Sequence, residues 1–331
     1  MGGQDELLFD GQSIAIDSQE RIRARGAAFK ESLSTIEIQG SEIKGLISPL
    51  LKHEALLYEA LVCGTRDYVN KNHFPGVLVG LSGGIDSALT LAIAVDALGA
   101  EHVHAVLLPS RYTAQMSNED ALAQIKHLKV SHSTLSIEPA FAALTTTLEP
   151  IFAGLASDTT EENIQARIRG LLIMALSNKT GKMVLTTSNK SESAVGYATL
   201  YGDMAGGFSV LKDVLKTQVY ALAHYRNSLC AIIPERVLTR APSAELRPDQ
   251  TDQDSLPEYA ILDAIIVGYI EQNLSPEEMI QQGFAPETVA KVIQLIRRNE
   301  YKRRQAPPGI KISPKAFGKD WRYPITNGFE N

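Results

Sequence analysis

The chain has 331 residues, enough for one or two domains with a sizeable hydrophobic core. Hydrophobic residues make up 44% and charged residues 21%, which is typical of a globular protein and argues against disorder. The net charge of -6 argues against nucleic-acid binding, and no apolar run is long enough to span a membrane. Two distant cysteines, Cys63 and Cys230, predict free thiols in a reducing compartment, so we expect a cytoplasmic protein.

The first fifty residues have a pattern of their own. Residues 7–11 and 13–17 alternate between apolar and polar side chains, which predicts a β-hairpin formed by these two segments. Residues 22–26 predict a further short strand. From Pro49 onward the apolar residues recur with a helical period, so the character of the chain changes near that point.

The stretch Leu-Ser-Gly-Gly-Ile-Asp-Ser-Ala at residues 81–88 is the most informative part of the chain. An apolar run precedes it and another follows, which predicts a strand, a tight turn and a helix. Glycines let backbone amides approach an anion, and the start of a helix adds free N–H groups and a positive dipole end. Ser82 and Ser87 are hydrogen-bond donors, and Asp86 is a candidate metal ligand. No Gly-Lys-Ser/Thr follows, so the stretch is not a Walker A box.

The serine-glycine stretch resembles the pyrophosphate-binding loop of the N-type ATP pyrophosphatases, which cleave ATP between its α- and β-phosphates. Downstream, strand and helix patterns alternate: a strand at 103–108, a helix from Ser117 to about 128, a helix at 161–178 and a strand at 183–187. This order predicts an α/β fold with a doubly wound, mostly parallel sheet and helices on both faces. The last third is predicted to be mainly helical, with helices starting at Ser275 and spanning 286–304.

Four further segments resemble NAD synthetase, in particular the synthetase domain of the glutamine-dependent enzymes. They are residues 161–167, 187–208, 240–246 and 300–308, and they follow the order of that family. The resemblance implies an adenine nucleotide alpha hydrolase-like fold. It also divides the chain into residues 1–40, resembling the end of a nitrilase-like glutaminase domain plus a linker, and residues 41–331, the NAD synthetase domain.

The resemblance implies ATP-dependent amidation of deamido-NAD to NAD through an NAD-adenylate, with release of AMP and pyrophosphate. Asp86 and Lys216 match catalytic positions, and Asp86 and Glu192 match Mg²⁺ ligands. The ATP-binding positions are Leu81, Ser82, Gly83, Gly84, Ser87, Ala88, Thr187, Lys216 and Ser243. The positions for deamido-NAD are Asn163, Arg167, Glu192, Tyr301 and Lys302. A homodimer or larger homo-oligomer is also implied.

One position departs from the ammonia-dependent relatives, which carry a lysine where this chain has Leu200. The glutamine-dependent branch shares this variant. The Glu-Lys-Cys triad of the glutaminase domain has no counterpart in the chain, so we expect it to use free ammonia. The chain is expected to be one part of a longer enzyme, through truncation or a displaced start. Two alternatives stay open: another N-type ATP pyrophosphatase ligase, and an inactive nucleotide-binding module.

Overall fold

The computed structural model describes residues 1–248 and 250–328. The strands, in chain order, are β1 (Gly2–Gln4), β2 (Leu7–Phe9), β3 (Ile14–Ile16), β4 (Ile22–Arg25), β5 (Ile36–Gln39), β6 (Glu42–Gly45), β7 (Val77–Gly80), β8 (Val103–Leu107), β9 (Ser131–Thr134), β10 (Met183–Thr186) and β11 (Phe208–Ser209). The α-helices are α1 (His53–Lys71), α2 (Ile85–Leu98), α3 (Gln115–Leu128), α4 (Glu138–Phe152), α5 (Thr159–Thr180), α6 (Lys190–Val195), α7 (Lys216–Leu229), α8 (Glu235–Thr239), α9 (Tyr259–Ile266), α10 (Pro276–Gln281), α11 (Pro286–Arg298) and α12 (Glu300–Arg303). Shorter turns of 3₁₀-helix occupy Ala100–His102 and Asp252–Asp254, and a π-helical turn, Val267–Glu271, continues α9.

A parallel five-stranded sheet organises the fold, in the order β11-β10-β7-β8-β9. The chain leaves β7 toward β8 on one side and later returns to pair β10 on its other side. Val77 therefore lies opposite both Val103 and Met183. The carboxyl end of β7 is thus a point where the strand order reverses, and such points form crevices for ligands. The predicted doubly wound sheet is confirmed.

Alternate residues of β7 enter two different hydrophobic clusters because successive side chains of a strand point to opposite faces. Val77 and Val79 pack in the main cluster with side chains of α1, α2 and α7. Leu78 packs on the other face with Ile173 of α5. Both faces of the sheet are covered at its centre, which explains why β7 and β10 are almost continuously apolar, whereas the edge strand β9 is polar and mostly exposed.

The C-terminal third builds a separate core from helices alone. Leu262 and Ile266 of α9 pack with Val292 and Ile296 of α11, and α6 closes the cluster through Val195. This core places α6 and α9 against the start of α7, beside the carboxyl end of the sheet. The predicted helical C-terminal part is confirmed.

Beyond α12, the tail packs through its aromatic residues. Trp321 lies against Phe317, with ring centroids 5.6 Å apart, and stacks on Tyr323 at 6.3 Å. The Arg303 guanidinium lies 4.7 Å from the centre of the Phe317 ring and 5.6 Å from that of Trp321. These cation–π and aromatic contacts stabilise the packing of the irregular tail against α12.

Several local expectations need correction. The helix expected to start at Ser117 begins earlier, at Gln115, because the Ser117 hydroxyl donates to Glu245 instead of capping the helix. The helix expected over 286–304 is interrupted at Asn299, whose side-chain amide donates to the Val195 carbonyl of α6. The tertiary contact ends the helix where the sequence pattern continues.

The N-terminal strands also pair differently from the predicted hairpin. β2 pairs with β1, and β3 pairs with β4, so residues 7–11 and 13–17 do not pair with each other. A left-handed residue, Asp5 with φ of 58°, makes the tight turn that joins β1 to β2. The predicted domain boundary after residue 40 falls in the turn between β5 and β6. Asp249 and the last three residues of the predicted second domain lie outside the described residues.

The N-terminal segment, residues 1–52, is anchored mainly through β1, β2 and Phe29. Gly3 donates its amide to Asp67 of α1, and Phe29 packs with Ala60 and Cys63 of the same helix. By contrast, residues 30–42 are exposed throughout. Within the part of the chain that the structure describes, no helix has both the length and the apolar character needed to cross a membrane.

Candidate active site

A cavity of about 290 Å³ opens at the carboxyl ends of β7 and β10. Most of the residues predicted to bind ATP or metal line it: Leu81, Ser82, Gly83, Gly84, Asp86, Ser87, Thr187, Glu192, Lys216 and Ser243. Ala88 does not line the cavity; it is buried in α2, and its carbonyl accepts from Gln124. Residues far apart in sequence thus meet where the strand order reverses, as a nucleotide site requires.

The loop between β7 and α2 is held by its own side chains. The Ser87 hydroxyl donates to the Gly84 carbonyl at 2.9 Å, and the two serine oxygens of Ser82 and Ser87 lie 3.1 Å apart. Gly83 has a φ of +81°, and a Cβ there would lie 2.3 Å from the Ser117 carbonyl oxygen. Only glycine satisfies both conditions without a shift of the backbone. The result is a fixed turn at the start of α2, whose amides suit an anion.

Lys216 connects the two predicted metal ligands. Its Nζ lies 2.5 Å from Asp86 Oδ2 and 3.0 Å from Glu192 Oε1. The lysine is almost fully buried, and its ammonium also lies 5.2 Å from the centre of the Tyr259 ring. Three charged groups contributed by α2, α6 and α7 therefore share one side of the cavity, and we call them the charged triad.

The protonation of the charged triad reflects burial and its internal charges. Burial raises the pKa of Glu192 to about 7, and the Lys216 ammonium opposes that rise. Burial alone lowers the pKa of Lys216, but the carboxylates of Asp86 and Glu192 outweigh it, so the net pKa is raised. The lysine is thus held as a cation beside the turn at Gly83 and Gly84.

Asn189 links the Asp86 carboxylate to the backbone of Glu192 and was not among the predicted residues. Its side-chain nitrogen donates to Asp86 Oδ1 at 2.9 Å, while its oxygen accepts the Glu192 amide at 2.9 Å and caps α6. The side chain is fully buried. An asparagine before a helix gives a capping signal in the sequence, but its contact with Asp86, 103 residues away, has no local signal.

The donor set suits a magnesium ion bound together with phosphates. Among the described residues, no group of three or more His, Cys, Asp or Glu side chains is placed to hold a metal. Asp86 and Glu192 are two carboxylates in the same cavity as the turn at Gly83 and Gly84, and Mg²⁺ is commonly held by one or two carboxylates plus substrate phosphates and water. The pair therefore fits Mg²⁺ in the presence of a nucleotide.

Two of the residues predicted to contact deamido-NAD lie on α5, outside the cavity lining. Asn163 accepts a hydrogen bond from the Thr199 hydroxyl at 2.8 Å, and Arg167 Nε donates to the Leu200 carbonyl at 3.3 Å. Both side chains thus reach the loop that follows α6, and their role toward the dinucleotide stays a prediction.

Of the other three, Glu192 lines the cavity, and Tyr301 and Lys302 lie on α12. Lys302 Nζ donates to the carbonyls of Gly196 and Ala198, each at 2.8 Å, and Tyr301 is 47% exposed. The same loop, residues 196–203, therefore connects the α5 pair with the α12 pair. It reaches the cavity through Tyr197 and Asp203.

Several charged residues in the cavity lining were not predicted, among them Arg169 and Asp203. Arg169 donates through Nε to the Leu108 carbonyl at the end of β8, and burial lowers its pKa to about 10. Burial raises the pKa of Asp203 to about 6, although the Thr199 amide donates to it. Asp203 lies within a segment that carries the resemblance and Arg169 lies two residues beyond another, but nothing in the sequence indicates that these side chains face the cavity.

The fold and the site define a parallel α/β protein with a serine- and glycine-rich loop and a charged triad at the carboxyl edge of its sheet. The family model described as NAD synthase matches residues 57–306. The chain therefore belongs to the NAD synthase family.

A similar protein is the glutamine-dependent NAD(+) synthetase of Acinetobacter baylyi, which is 54% identical over 99% of this chain; the chain spans 62% of that relative's length. A solved structure of glutamine-dependent NAD+ synthetase from Acinetobacter baumannii, in complex with ADP, is 50% identical and has a TM-score of 0.71 over 99% of this chain and 60% of that one. The NH3-dependent NAD synthetase of Campylobacter jejuni is 26% identical, with a TM-score of 0.62 over 76% of this chain and 96% of that one.

Proposed function

We propose that this chain amidates deamido-NAD to NAD, using ATP and free ammonia and releasing AMP and pyrophosphate. The observation that carries the proposal is the charged triad, Asp86, Lys216 and Glu192, beside the turn at Gly83 and Gly84. Family membership supports the acceptor, and the ADP complex of a 50% identical protein supports use of an adenine nucleotide.

The chemistry follows from the weakness of a carboxylate as an acyl donor. ATP converts the nicotinate carboxylate to an acyl-adenylate, the NAD-adenylate, and ammonia then displaces AMP. In this proposal the loop at residues 82–87 holds the departing pyrophosphate with its amides and hydroxyls. The Lys216 ammonium stabilises the negative charge that develops on the phosphates. Mg²⁺ on Asp86 and Glu192 supplies further neutralisation of phosphate charge.

Residues at the far end of the site receive the dinucleotide in this proposal. Asn163, Arg167, Tyr301 and Lys302 contact deamido-NAD in this proposal. Three of them, Asn163, Arg167 and Lys302, bond the loop formed by residues 196–203, and Tyr301 precedes Lys302 in α12. Thr187 and Ser243, which line the cavity, contact ATP.

A second part of the proposal concerns assembly and location. We propose a homodimer, supported by large apolar side chains exposed on α4 and α5, namely Leu144, Ile151 and Leu171. A cytoplasmic location is supported by two free cysteines, one buried and one exposed.

Free ammonia is proposed as the nitrogen source because neither cysteine offers a nucleophile for glutamine. Burial raises the pKa of Cys63, which keeps its thiol protonated and unreactive. Cys230 is exposed at the end of α7, and its carbonyl accepts from Arg226. The Campylobacter jejuni relative, which is named as NH3-dependent, also supports ammonia as the nitrogen source, since 96% of its chain aligns with 76% of this one.

The test measures NAD and pyrophosphate formed by the purified chain from deamido-NAD, Mg-ATP and either ammonium or glutamine. We expect both products with ammonium and less than a hundredth of that rate with glutamine. Asp86→Ala should abolish turnover by removing a metal ligand and a partner of Lys216. Asp10→Ala, which alters an exposed aspartate of the N-terminal segment, should leave it intact.

The same assay separates the alternatives. Pyrophosphate release with another acceptor but none with deamido-NAD would indicate another ligase of the ATP pyrophosphatase superfamily. Binding of ATP with no pyrophosphate release under any condition would indicate a nucleotide-binding module. Equal rates with glutamine and ammonium would refute the proposed nitrogen source.

A further inference from the structure

Asp263 is a buried carboxylate that the proposed reaction does not use directly. It lies on α9 in the helical C-terminal part, is 4% exposed and is absent from the nucleotide cavity lining. Its Oδ2 accepts the Thr217 amide at 2.9 Å and the Thr217 hydroxyl at 2.8 Å. Its Oδ1 accepts a hydrogen bond from the Ser191 hydroxyl. A buried carboxylate is stable only when its oxygens accept hydrogen bonds, and the donors to Asp263 all belong to Ser191 and Thr217.

Those two residues are the chain neighbours of the charged triad. Ser191 precedes Glu192 in α6, and Thr217 follows Lys216 in α7. The Ser191 oxygen also accepts the backbone amide of Lys216 at 2.8 Å. Through one carboxylate, α9 is thus bonded to the first turns of α6 and α7, which carry Glu192 and Lys216, and these two first turns are bonded to each other.

Neither first turn is fixed by its own helix. α6 has six residues, too few to be stable alone, and the first amides of α7 lack partners within the helix. The Asp263 carboxylate supplies one of those missing partners at Thr217 and orients the hydroxyl of Ser191. Without it, the spacing between Lys216 Nζ and Glu192 Oε1 depends on the Asn189 cap of α6 and on the hydrogen bond from the Lys216 amide to Ser191.

We propose that Asp263 is a positioning residue that sets the spacing of Lys216 and Glu192 by bonding the first turns of α6 and α7 to α9. The proposal rests on the proposed function, since the triad's task there is to meet the phosphates. Because that task is electrostatic, small displacements of the triad lower the rate of reaction more than they weaken the binding of ATP.

The first experiment replaces Asp263 by asparagine, which keeps the shape but removes the charge and one acceptor. We expect the kcat of NAD synthesis to fall about 10- to 100-fold, the range known for outer-shell partners of metal sites. The KM for ATP should change less than about threefold, because Asp263 lies outside the cavity lining. Asp96→Asn is the control: Asp96, like Asp263, accepts from a hydroxyl and joins neighbouring helices, but it bonds Tyr58 and Arg226 at a distant junction of α1, α2 and α7.

A second pair of variants keeps the proposal testable if Asp263→Asn does not fold. Thr217→Val removes the hydroxyl that donates to Asp263, and Thr217→Ser retains it. Thr217 is exposed, so the core is not disturbed by either change. We expect Thr217→Val to lose about three- to tenfold in kcat and Thr217→Ser to restore most of that loss.

The third readout does not depend on activity. In a crystal structure of Asp263→Asn or Thr217→Val we expect Lys216 Nζ to have left hydrogen-bond distance of Glu192. Retention of both triad contacts, or a kcat equal to that of Asp96→Asn with only a lower melting temperature, would overturn the positioning role. If the unmodified chain makes no NAD, the proposed function fails, while the structural readout still decides whether Asp263 spaces the triad.

Discussion

Lys216 carries a positive charge in a buried position. The stability of that charge therefore depends on the carboxylates that contact it. An ammonium with 2% exposure is tolerated because Asp86 and Glu192 lie within 3.0 Å of it. Two anions around one cation leave the triad with a net negative charge, which suits a divalent cation. The lysine therefore links the two carboxylates on one side of the cavity, and in the proposed reaction it also meets the phosphates.

Sequence reasoning found the charged triad because each member lies in a recognisable motif. It did not find Asn189 or Asp263, which arrange the triad, because their hydrogen bonds join residues 103 and 72 positions apart. Local patterns report which backbone a residue prefers, but they do not report which distant side chain it will meet.

At the same scale, the two loop glycines should differ sharply in tolerance. Gly83→Ala places a Cβ 2.3 Å from the Ser117 carbonyl at a φ of +81°, so we expect a loss of about 2 kcal/mol or more in the free energy of unfolding. At Gly84 the φ is -88° and a Cβ would meet only the Ser82 hydroxyl, at 3.3 Å. Gly84→Ala should change stability by less than about 1 kcal/mol, measured by urea denaturation. Equal losses for both variants would contradict this explanation.

Among the elements, α6 depends most on its surroundings. Its six residues present Lys190 to one side, Ser191 to α9 and Glu192 to the cavity. Lys190 is fully buried and bonds Asp213, Glu271 and the Ser313 hydroxyl at 2.7–2.8 Å. Glu271 ends the π-helical turn that continues α9, so the same helical unit holds two consecutive residues of α6.

Replacing Lys190 by methionine should therefore destabilise the fold strongly. The change leaves Asp213 and Glu271 as buried carboxylates without their cation, and breaking a buried pair costs about 3 to 5 kcal/mol. Lys44→Met is the control, because its pair with Glu42 is about 60% exposed on both sides and should contribute less than about 1 kcal/mol. Equilibrium unfolding of both variants tests the difference, and a loss below about 1 kcal/mol for Lys190→Met would exclude a role for the cluster in stability.

For the whole molecule, the sheet and the N-terminal segment are held very differently. β7 and β8 are buried on both faces, whereas residues 30–42 are exposed throughout and β5 has four exposed residues. Few buried contacts and an exposed backbone indicate a low local cost of opening.

Limited trypsin digestion should consequently cut first within residues 30–52, at Lys30, Lys44 or Lys52, all of which are exposed. Mass spectrometry of the earliest fragments identifies the sites, and the remaining fragment should keep the β-sheet signal in circular dichroism. An early cut within α1 or the central sheet would contradict the difference in local stability.

This contrast also separates what the sequence predicted from what it did not. The buried strands and the long capped helix α5 give strong local patterns, and both were predicted within a few residues. The pairing of β1 with β2 depends on a turn at Asp5, and α6 is stabilised by contacts with residues far away in the sequence. The local sequence pattern therefore predicted neither the β1–β2 pairing nor α6. Fold prediction succeeded where the stabilising interactions are near in sequence.

The only tryptophan in the chain, Trp321, lies in the tail that packs on Arg303 and Phe317. The same tail contributes Ser313 and the Lys315 carbonyl to the cluster around Lys190. Selective excitation of tryptophan therefore yields a fluorescence signal from one place alone, without any label. The wavelength and intensity of its emission therefore measure whether the tail is packed against Arg303 and the helices beside the candidate site.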